Sequence, residues 1–335
     1  MHSNRVKILI IRFSSIGDIV ITSPIVRCVR EQLNAEVHFL TKEKFQGLVD
    51  DNPFISKVHT LQNNLDETIA LLKNENYDTI IDLHKNLRTA KIKKAMNATW
   101  YSFNKVNIQK WLFVNFKINF LPQEHLVDRY FKGISALNVI NDKQGLDYFL
   151  PPEFSFDLSS HNLTKGKYIV LSIGGTYTTK RIPNDILLAL INRLNKPVVV
   201  IGGGEEDSKN ATYLEQHSSN KSLTNLCNKL SINESAYLIQ NAAKVVSGDT
   251  GMMHIAAAYN KPIESIWGNT HPLFGMYPYF PKKTENLSNM HQVDLKCRPC
   301  SKLGSSSCPR GHFNCMKLHN VEEIVKNCNS IEGIQ

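Results

Sequence analysis

Long apolar runs are missing from this chain of 335 residues. None approaches the roughly 18 residues that a membrane-spanning helix needs. The early run Val6 to Ile11 is too short for the core of a secretory signal, and no small-residue cleavage site follows it. It reads as a first strand, and a cytoplasmic protein is expected. Two nucleotide signatures are also missing. Neither Gly202-Gly203-Gly204 nor the stretch around Gly17 fits G-x-G-x-x-G, and no Walker A sequence occurs. A dinucleotide dehydrogenase is therefore disfavoured. Acidic side chains are absent from the whole interval between Asp82 and Glu124, which carries Lys85, Arg88, Lys91, Lys93, Lys94, Lys105, Lys110 and Lys117. A one-signed stretch of that length, in a chain of net charge +9, predicts an anion-facing surface more than a solvated face. Within it Trp111, Phe113, Phe116 and Phe120 are mixed with lysines, a mixture that suits either a membrane surface or an ordinary buried segment.

What the chain does have is alternation. Apolar content of 42% supports ample core for about two domains. Val6–Ile11, Glu36–Leu40 and Tyr77–Leu83 read as strands, with a helix expected from about Ile19 to Leu33. Ile21, Ile25, Val29 and Leu33 share a face of that helix, and Pro24 falls in its first two turns. The Ser/Asn/Asp-rich residues 151–167 read as a linker after a domain of residues 1–150. Residues 168–335 repeat the layout, with strands at Tyr168–Ile173 and Pro197–Ile201, a helix from Ser231 to Asn241, and a last strand at Ile263–Trp267. Strands alternating with helices imply parallel, doubly wound sheets, which bind ligands at the carboxyl ends of their strands.

The stretch from Val245 to Ala258 organises the second half. A β-branched strand ends at Val246, Asp249 or Thr250 suits a helix N-cap, and Gly251 allows close approach to the backbone. A helix opening there aims free N–H groups and partial positive charge above the sheet, a seat for phosphate. Such turns also occur with no ligand. Two further strand ends carry Thr178-Thr179-Lys180-Arg181 and Gly203-Gly204-Glu205. Together the three offer hydroxyls, a cation, a ribose-type acceptor and helix N–H groups, which suits a nucleoside diphosphate.

These residues resemble, in order and spacing, the motifs of glycosyltransferase family 9, the ADP-heptose:lipopolysaccharide heptosyltransferases. In the first half the matching stretches are Arg12-Phe13-Ser14-Ser15-Ile16-Gly17-Asp18-Ile19-Val20, Asp82 to Arg88, and His125-Leu126-Val127-Asp128-Arg129-Tyr130. In the second half they are Thr178 to Arg181, Gly203 to Glu205, and Gly248 to His254. The resemblance implies the α/β GT-B fold, two doubly wound Rossmann-like domains facing across a cleft, with the acceptor on the first and the sugar nucleotide on the second. It implies an inverting transfer from an ADP-sugar to an anionic, lipopolysaccharide-core-type glycolipid at the inner membrane, with no nucleic acid partner and no cofactor required for catalysis. Asp18 matches the family's catalytic base, and such a transfer needs one carboxylate to take the acceptor's proton. Positive charge must meet the departing diphosphate. Lys180, Thr178 and Thr179 match the family's diphosphate contacts, with Thr250 and Gly251 adding helix N–H groups. Asp249 would hold sugar hydroxyls, Glu205 the ribose, and His254 lies on the same helix as a donor-site or core residue. Lys85, Arg88 and Arg129 would grip acidic groups of the acceptor.

Cys297, Cys300, Cys308 and Cys315 are spaced C-x2-C-x7-C-x6-C, with His312 as a spare ligand. In a cytosolic chain this suggests a structural zinc more than disulfides, against reduced structural thiols. Two rival functions stand beside the heptosyl reading: a family member using another nucleotide sugar, and a non-catalytic anion- or nucleic-acid-binding protein with a zinc knob. Asp18 together with Lys180 favours the enzyme, since a pure binder needs no base.

Overall fold

A computed structural model describes residues 5–330. The chain divides into two compact units. Met1–Lys105 with Glu124–Pro151 forms the first; Val106–Gln123 with Pro152–Gln335 forms the second.

The first unit is built on five parallel strands: β1 Lys7–Ile11, β2 Glu36–Thr41, β3 Lys57–Thr60, β4 Thr79–Asp82 and β5 Thr99–Ser102. Their order is β3-β2-β1-β4-β5. Ile8 to Ile11 are wholly buried, as expected of a central parallel strand covered on both faces. Leu9, Ile11, Leu40, Ile80 and Ile92 meet in one core cluster. Ile11 registers with Leu40 on one side and Asp82 on the other, so the loops after β1 and β4 emerge side by side.

The helix expected over 19–33 is two helices, Ile16–Val20 and Ser23–Leu33. Pro24 has no N–H to continue the first ladder, and proline is favoured in the opening turn of a new helix instead. The freed carbonyls are taken up locally. The Thr22 hydroxyl donates to the Ile19 carbonyl at 2.6 Å and the Ser23 hydroxyl to Val20 at 2.8 Å. This break sets the short helix bearing Asp18 apart from the longer one.

The second unit has six parallel strands: β6 Ile169–Ser172, β7 Val198–Ile201, β8 Leu223–Asn225, β9 Lys244–Gly248, β10 Ile263–Trp267 and β11 Ser288–Gln292, in the order β11-β10-β9-β6-β7-β8. Strand β10 is thus not the last. Strand β11, with the polar sequence SNMHQ, lies outside it on the sheet's edge. Residues 106–123 also pack here, with Val106, Phe113 and Leu121 clustering on Phe274. The acid-free interval is therefore divided. Lys110 is buried with its ammonium 5.9 Å from the Phe274 ring. Lys117 donates to the carbonyls of Val114 and Pro299, at 2.6 and 2.7 Å. Both belong to the second unit, whereas Lys85 and Arg88 belong to the first.

Glu264 on β10 is fully buried and ties this unit together. It accepts from Lys244 on β9 at 2.7 Å and from Asn289 and His291 on β11 at 2.9 and 2.6 Å. Asn327 of the helix Val321–Asn329 donates to it at 3.3 Å. Burial works to raise its pKa, but the His291 and Lys244 contacts outweigh burial and hold it below the ordinary carboxylate value. Removing one partner of such a set leaves uncompensated buried charge. Glu264→Ala should therefore lower unfolding free energy by about 3–5 kcal/mol in urea denaturation; a loss well under 1 kcal/mol would show that the network holds little.

Candidate functional site

In the first unit the site residues gather after β1. Arg12 is buried, and its guanidinium serves four groups. Nη2 lies 2.5 Å from Asp18 Oδ1, Nε donates to the Ser14 carbonyl at 2.8 Å, and Nη1 donates to the Leu83 carbonyl and reaches the Tyr130 hydroxyl at 3.4 Å. The other carboxylate oxygen of Asp18 accepts from the Ser15 N–H at 3.1 Å and the Ser15 hydroxyl at 2.9 Å. Asp18 is therefore the third residue of its helix and closes a capping box with Ser15. Its side chain keeps one fifth of its surface exposed. Burial opposes ionisation, but the Arg12 charge and the Ser15 donors prevail, so the carboxyl is held below its usual range. It is an ionised acceptor, accessible from solvent.

The loop after β4 stands beside it. Asp82 Oδ1 accepts from the N–H groups of His84 and Lys85, at 2.9 and 2.7 Å, and turns the chain. The His84 ring packs on Phe13 with centroids 4.8 Å apart. Burial and the nearby Arg12 charge lower the His84 pKa to about 4, so the ring is neutral at physiological pH. Lys85 and Arg88 are exposed, with Lys85 Nζ resting 2.9 Å from the Phe103 carbonyl. Arg129 is different: it is buried on the helix Leu126–Gly133.

In the second unit three residues form one tight turn, Thr178–Lys180, after β6. Thr178 is exposed. Thr179 is buried and pinned: its N–H and hydroxyl donate to the Ser305 carbonyl at 3.2 and 3.0 Å, and its Oγ1 also accepts from the Ser305 N–H at 2.8 Å. Lys180 Nζ pairs with Asp249 Oδ2 at 2.7 Å, and the Thr270 hydroxyl donates to the same oxygen at 3.0 Å. Two glycines admit this turn. A Cβ on Gly248 would lie 2.9 Å from the Lys180 carbonyl oxygen, and one on Gly268 would lie 2.8 Å from that of Thr179. Thr250 is the N-cap of the helix Gly251–Ala258, with its hydroxyl 3.0 Å from that of Ser247. Gly251 opens the helix and His254 is buried within it.

Glu205 opens the helix Glu205–His217 but is 83% exposed and paired with Lys209 at 2.8 Å. The buried carboxylate of that helix's first turn is Asp207, which sequence reasoning passed over. It accepts from the Gly203 N–H at 3.0 Å and lies 3.5 Å from Arg181 Nε. Burial raises its pKa. Arg12 likewise stands in the sequence only as part of a motif. Its signal was a lone arginine at the end of an otherwise apolar strand.

The cysteine segment is only partly drawn together. Cys297 Sγ is 3.9 Å from His312 Nε2, the Cys300 thiol donates to the Cys297 carbonyl at 3.0 Å, and Cys315 is buried in the main core cluster. Burial pushes the Cys300 and Cys315 thiols up to about 11. Among the described residues, the set of three or more potential ligands gathered within 4.8 Å lies elsewhere, at His38, His59 and Glu75.

Because the Asp18 carboxyl titrates lower in the folded chain, its pair with Arg12 stabilises fully above the unfolded value. That stability is lost as pH falls through the folded value. Asp18→Asn should cost about 1–3 kcal/mol near pH 7, with the gap narrowing in chemical denaturation as pH falls below the ordinary carboxylate range. A gap independent of pH would mean that the native carboxyl is not ionised.

A family model for glycosyltransferase family 9 (heptosyltransferase) matches residues 68–305. The lipopolysaccharide heptosyltransferase 1 of Campylobacter coli is 25% identical over 289 residues, covering 79% of this chain and 84% of that protein. Two solved structures share the fold. A family 9 glycosyl transferase from Veillonella parvula gives a TM-score of 0.77 at 20% identity, covering 98% of this chain and 97% of its own. The E. coli heptosyltransferase WaaC, solved with ADP, gives 0.69 at 19% identity, covering 96% and 99%. The two parallel-sheet α/β units are those of the GT-B fold. With most of its length matched by the family, this chain belongs to glycosyltransferase family 9, the heptosyltransferases.

Proposed function

We propose that this glycosyltransferase moves a heptose, or a closely related sugar, from an ADP-linked donor to a lipopolysaccharide-core acceptor, with inversion at the anomeric carbon. The observation that carries the reading is one assembly in the second unit. Lys180, Asp249 and the opening of the helix Gly251–Ala258 meet at the carboxyl ends of neighbouring strands β6 and β9. That is where such sheets take phosphate-bearing ligands.

In this reading the ADP diphosphate draws Lys180 from Asp249, which the Thr270 hydroxyl keeps in place. Asp249 is then released to accept from sugar hydroxyls. The free N–H groups of Gly251 and Met252 lie ahead of the helix and complement the diphosphate, and the exposed Thr178 hydroxyl adds a donor. Thr179, already bonded to Ser305, serves by fixing the turn. Glu205 accepts from the ribose. Asp18 takes the proton of the acceptor hydroxyl as its oxygen bonds the anomeric carbon. The bond to the diphosphate breaks with its electron pair going to ADP, and Lys180 meets that charge. A diphosphate leaves without needing a general acid, so no cofactor enters this step.

The acceptor is anionic, and of the three cations assigned to it Lys85 and Arg88 are the ones presented to solvent. Peripheral contact with the inner membrane belongs to the same reading. No helix among the described residues is long and apolar enough to cross a membrane. The helix Asn107–Phe116 and its continuation leave Ile108, Trp111, Phe116 and Phe120 more than half exposed, as a headgroup contact requires. Zinc at Cys297, Cys300, Cys308 and Cys315 would be structural, since the segment between them carries Ser305 against Thr179.

Two variants test the scheme. Asp18→Asn should lower turnover about a hundredfold or more while calorimetric ADP-sugar affinity survives; turnover within a few-fold of wild type would remove Asp18 from the role of base. Lys180→Ala should weaken ADP-sugar binding by about 1.5–3 kcal/mol; unchanged affinity would place the diphosphate elsewhere.

A further inference from the structure

At the opposite end of the first sheet, four side chains crowd together that the transfer chemistry does not use. His38 of β2 and His59 of the edge strand β3 face one another, with Nδ1 and Nε2 3.2 Å apart. The Tyr77 hydroxyl lies 2.9 Å from each of these nitrogens. Glu75 closes the group, with Oε2 3.9 Å from His38 Nδ1 and Oε1 3.7 Å from His59 Nε2. All are buried or nearly so.

The geometry is that of a coordination face. Zinc bonds of about 2.0–2.1 Å, set tetrahedrally, place neighbouring ligand atoms roughly 3.3 Å apart. The two imidazole nitrogens already meet that spacing, and with one ligand atom from each residue the three lie within 4.8 Å of one another, so the Glu75 carboxylate has at most about 1.5 Å to close by a turn of its side chain. The orientation of His38 is fixed from behind. Its Nε2 lies 2.9 Å from Glu36 Oε1, and a carboxylate can only accept, so Nε2 carries the proton and Nδ1 of the neutral ring presents its lone pair. A carboxylate behind a histidine is the usual outer support of a metal ligand. Two imidazoles with one carboxylate suit zinc and its first-row neighbours rather than magnesium or calcium.

Two cations compete for the place. Lys7 and Lys57 reach Glu75 at 3.1 and 2.5 Å. The Lys57 side chain is more than half exposed and can turn into solvent when Glu75 bonds a metal instead. Lys7 also has Glu36, at 3.6 Å, to fall back on. Lys7 and Glu36 begin their strands, whereas Asp18 follows the far end of β1. The cluster therefore stands about one strand length, on the order of 15 Å, from the Asp18 site.

We propose that His38, His59 and Glu75 form a binding site for a divalent transition metal of the zinc type, which fastens the edge strand β3 to β2 and to the turn before β4. Its role is structural. Metal bound there stabilises the folded unit by mass action and leaves the transfer chemistry to Asp18 and Lys180.

The test uses the full chain, stripped with chelator and titrated with Zn2+ alone under reducing conditions. Bound metal is read by equilibrium dialysis and stability by thermal denaturation. Wild type should bind one equivalent more than His59→Gln or Glu75→Gln, and its zinc-dependent rise in Tm should shrink in both variants. The cysteine segment is unaltered in all of these proteins, so thiol-bound zinc contributes equally and cancels. Glu36→Gln should weaken the site about 10–100-fold. Lys57→Ala should bind at least as tightly as wild type, since it removes a competitor. Equal metal content in wild type and in whichever of His59→Gln and Glu75→Gln folds with native circular dichroism would overturn the proposal. Weaker binding by Lys57→Ala would do so too. Either result would leave the cluster an ion-pair network.

Discussion

The guanidinium of Arg12 joins three parts of the first unit that are far apart in sequence: the loop after β1, the end of β4 at Leu83, and Tyr130 on a later helix. Its remaining bond is the ion pair with Asp18. Arginine suits this position because its planar fork donates in several directions and it is less strongly hydrated than an ammonium. The pair keeps the Asp18 carboxylate ionised and aimed, as its proposed role of base requires. It also makes that carboxylate a weaker base than one held by solvent alone. In the proposed transfer, catalytic power therefore comes from orientation and from charge at the leaving group as much as from basicity.

The second unit follows the same logic with the signs exchanged. Lys180 is a cation held ready by Asp249, on a turn that Ser305 clamps and that only glycine at 248 and 268 admits. In the proposed transfer this ion pair, with one-fifth or less of each partner exposed, opens for a diphosphate, which brings more negative charge and reaches both Lys180 and the helix N–H groups. Thr270 lets Asp249 remain ordered when the lysine leaves. In the proposed transfer the Lys180 charge is thus held by Asp249 until the diphosphate takes its place.

Much of this was legible in residue order. The apolar strands β1, β6, β7, β9 and β10 announce themselves by β-branched runs bounded by turns, and Thr250-Gly251 reads as a helix start and is one. The edge strands were not legible. Lys57–Thr60 and Ser288–Gln292 bury little and carry His, Asn and Lys, so no apolar period marks them. The placing of residues 106–123 in the second unit rests on packing against Phe274, some 150 residues away, which local pattern cannot reveal. Asp18 and Lys180 were readable through their motifs. Asp249 was singled out as well, as a contact for sugar hydroxyls, but its pairing with Lys180 and that of Arg12 with Asp18 were not, because an ion pair between loops is a fact of three dimensions. Asp207 was hidden by its exposed neighbours Glu205 and Glu206, and burial alone singles it out.

The central claim is a single displacement in which one oriented carboxylate, Asp18, activates the acceptor and Lys180 receives the leaving charge. Such a step attacks the anomeric carbon from the face opposite the diphosphate. The most direct measurement is the anomeric configuration of the sugar in the product, read by NMR against that of the donor. The account predicts inversion. Retention of configuration would contradict it, since that outcome needs either a second displacement or a front-face route that gives Asp18 a different part.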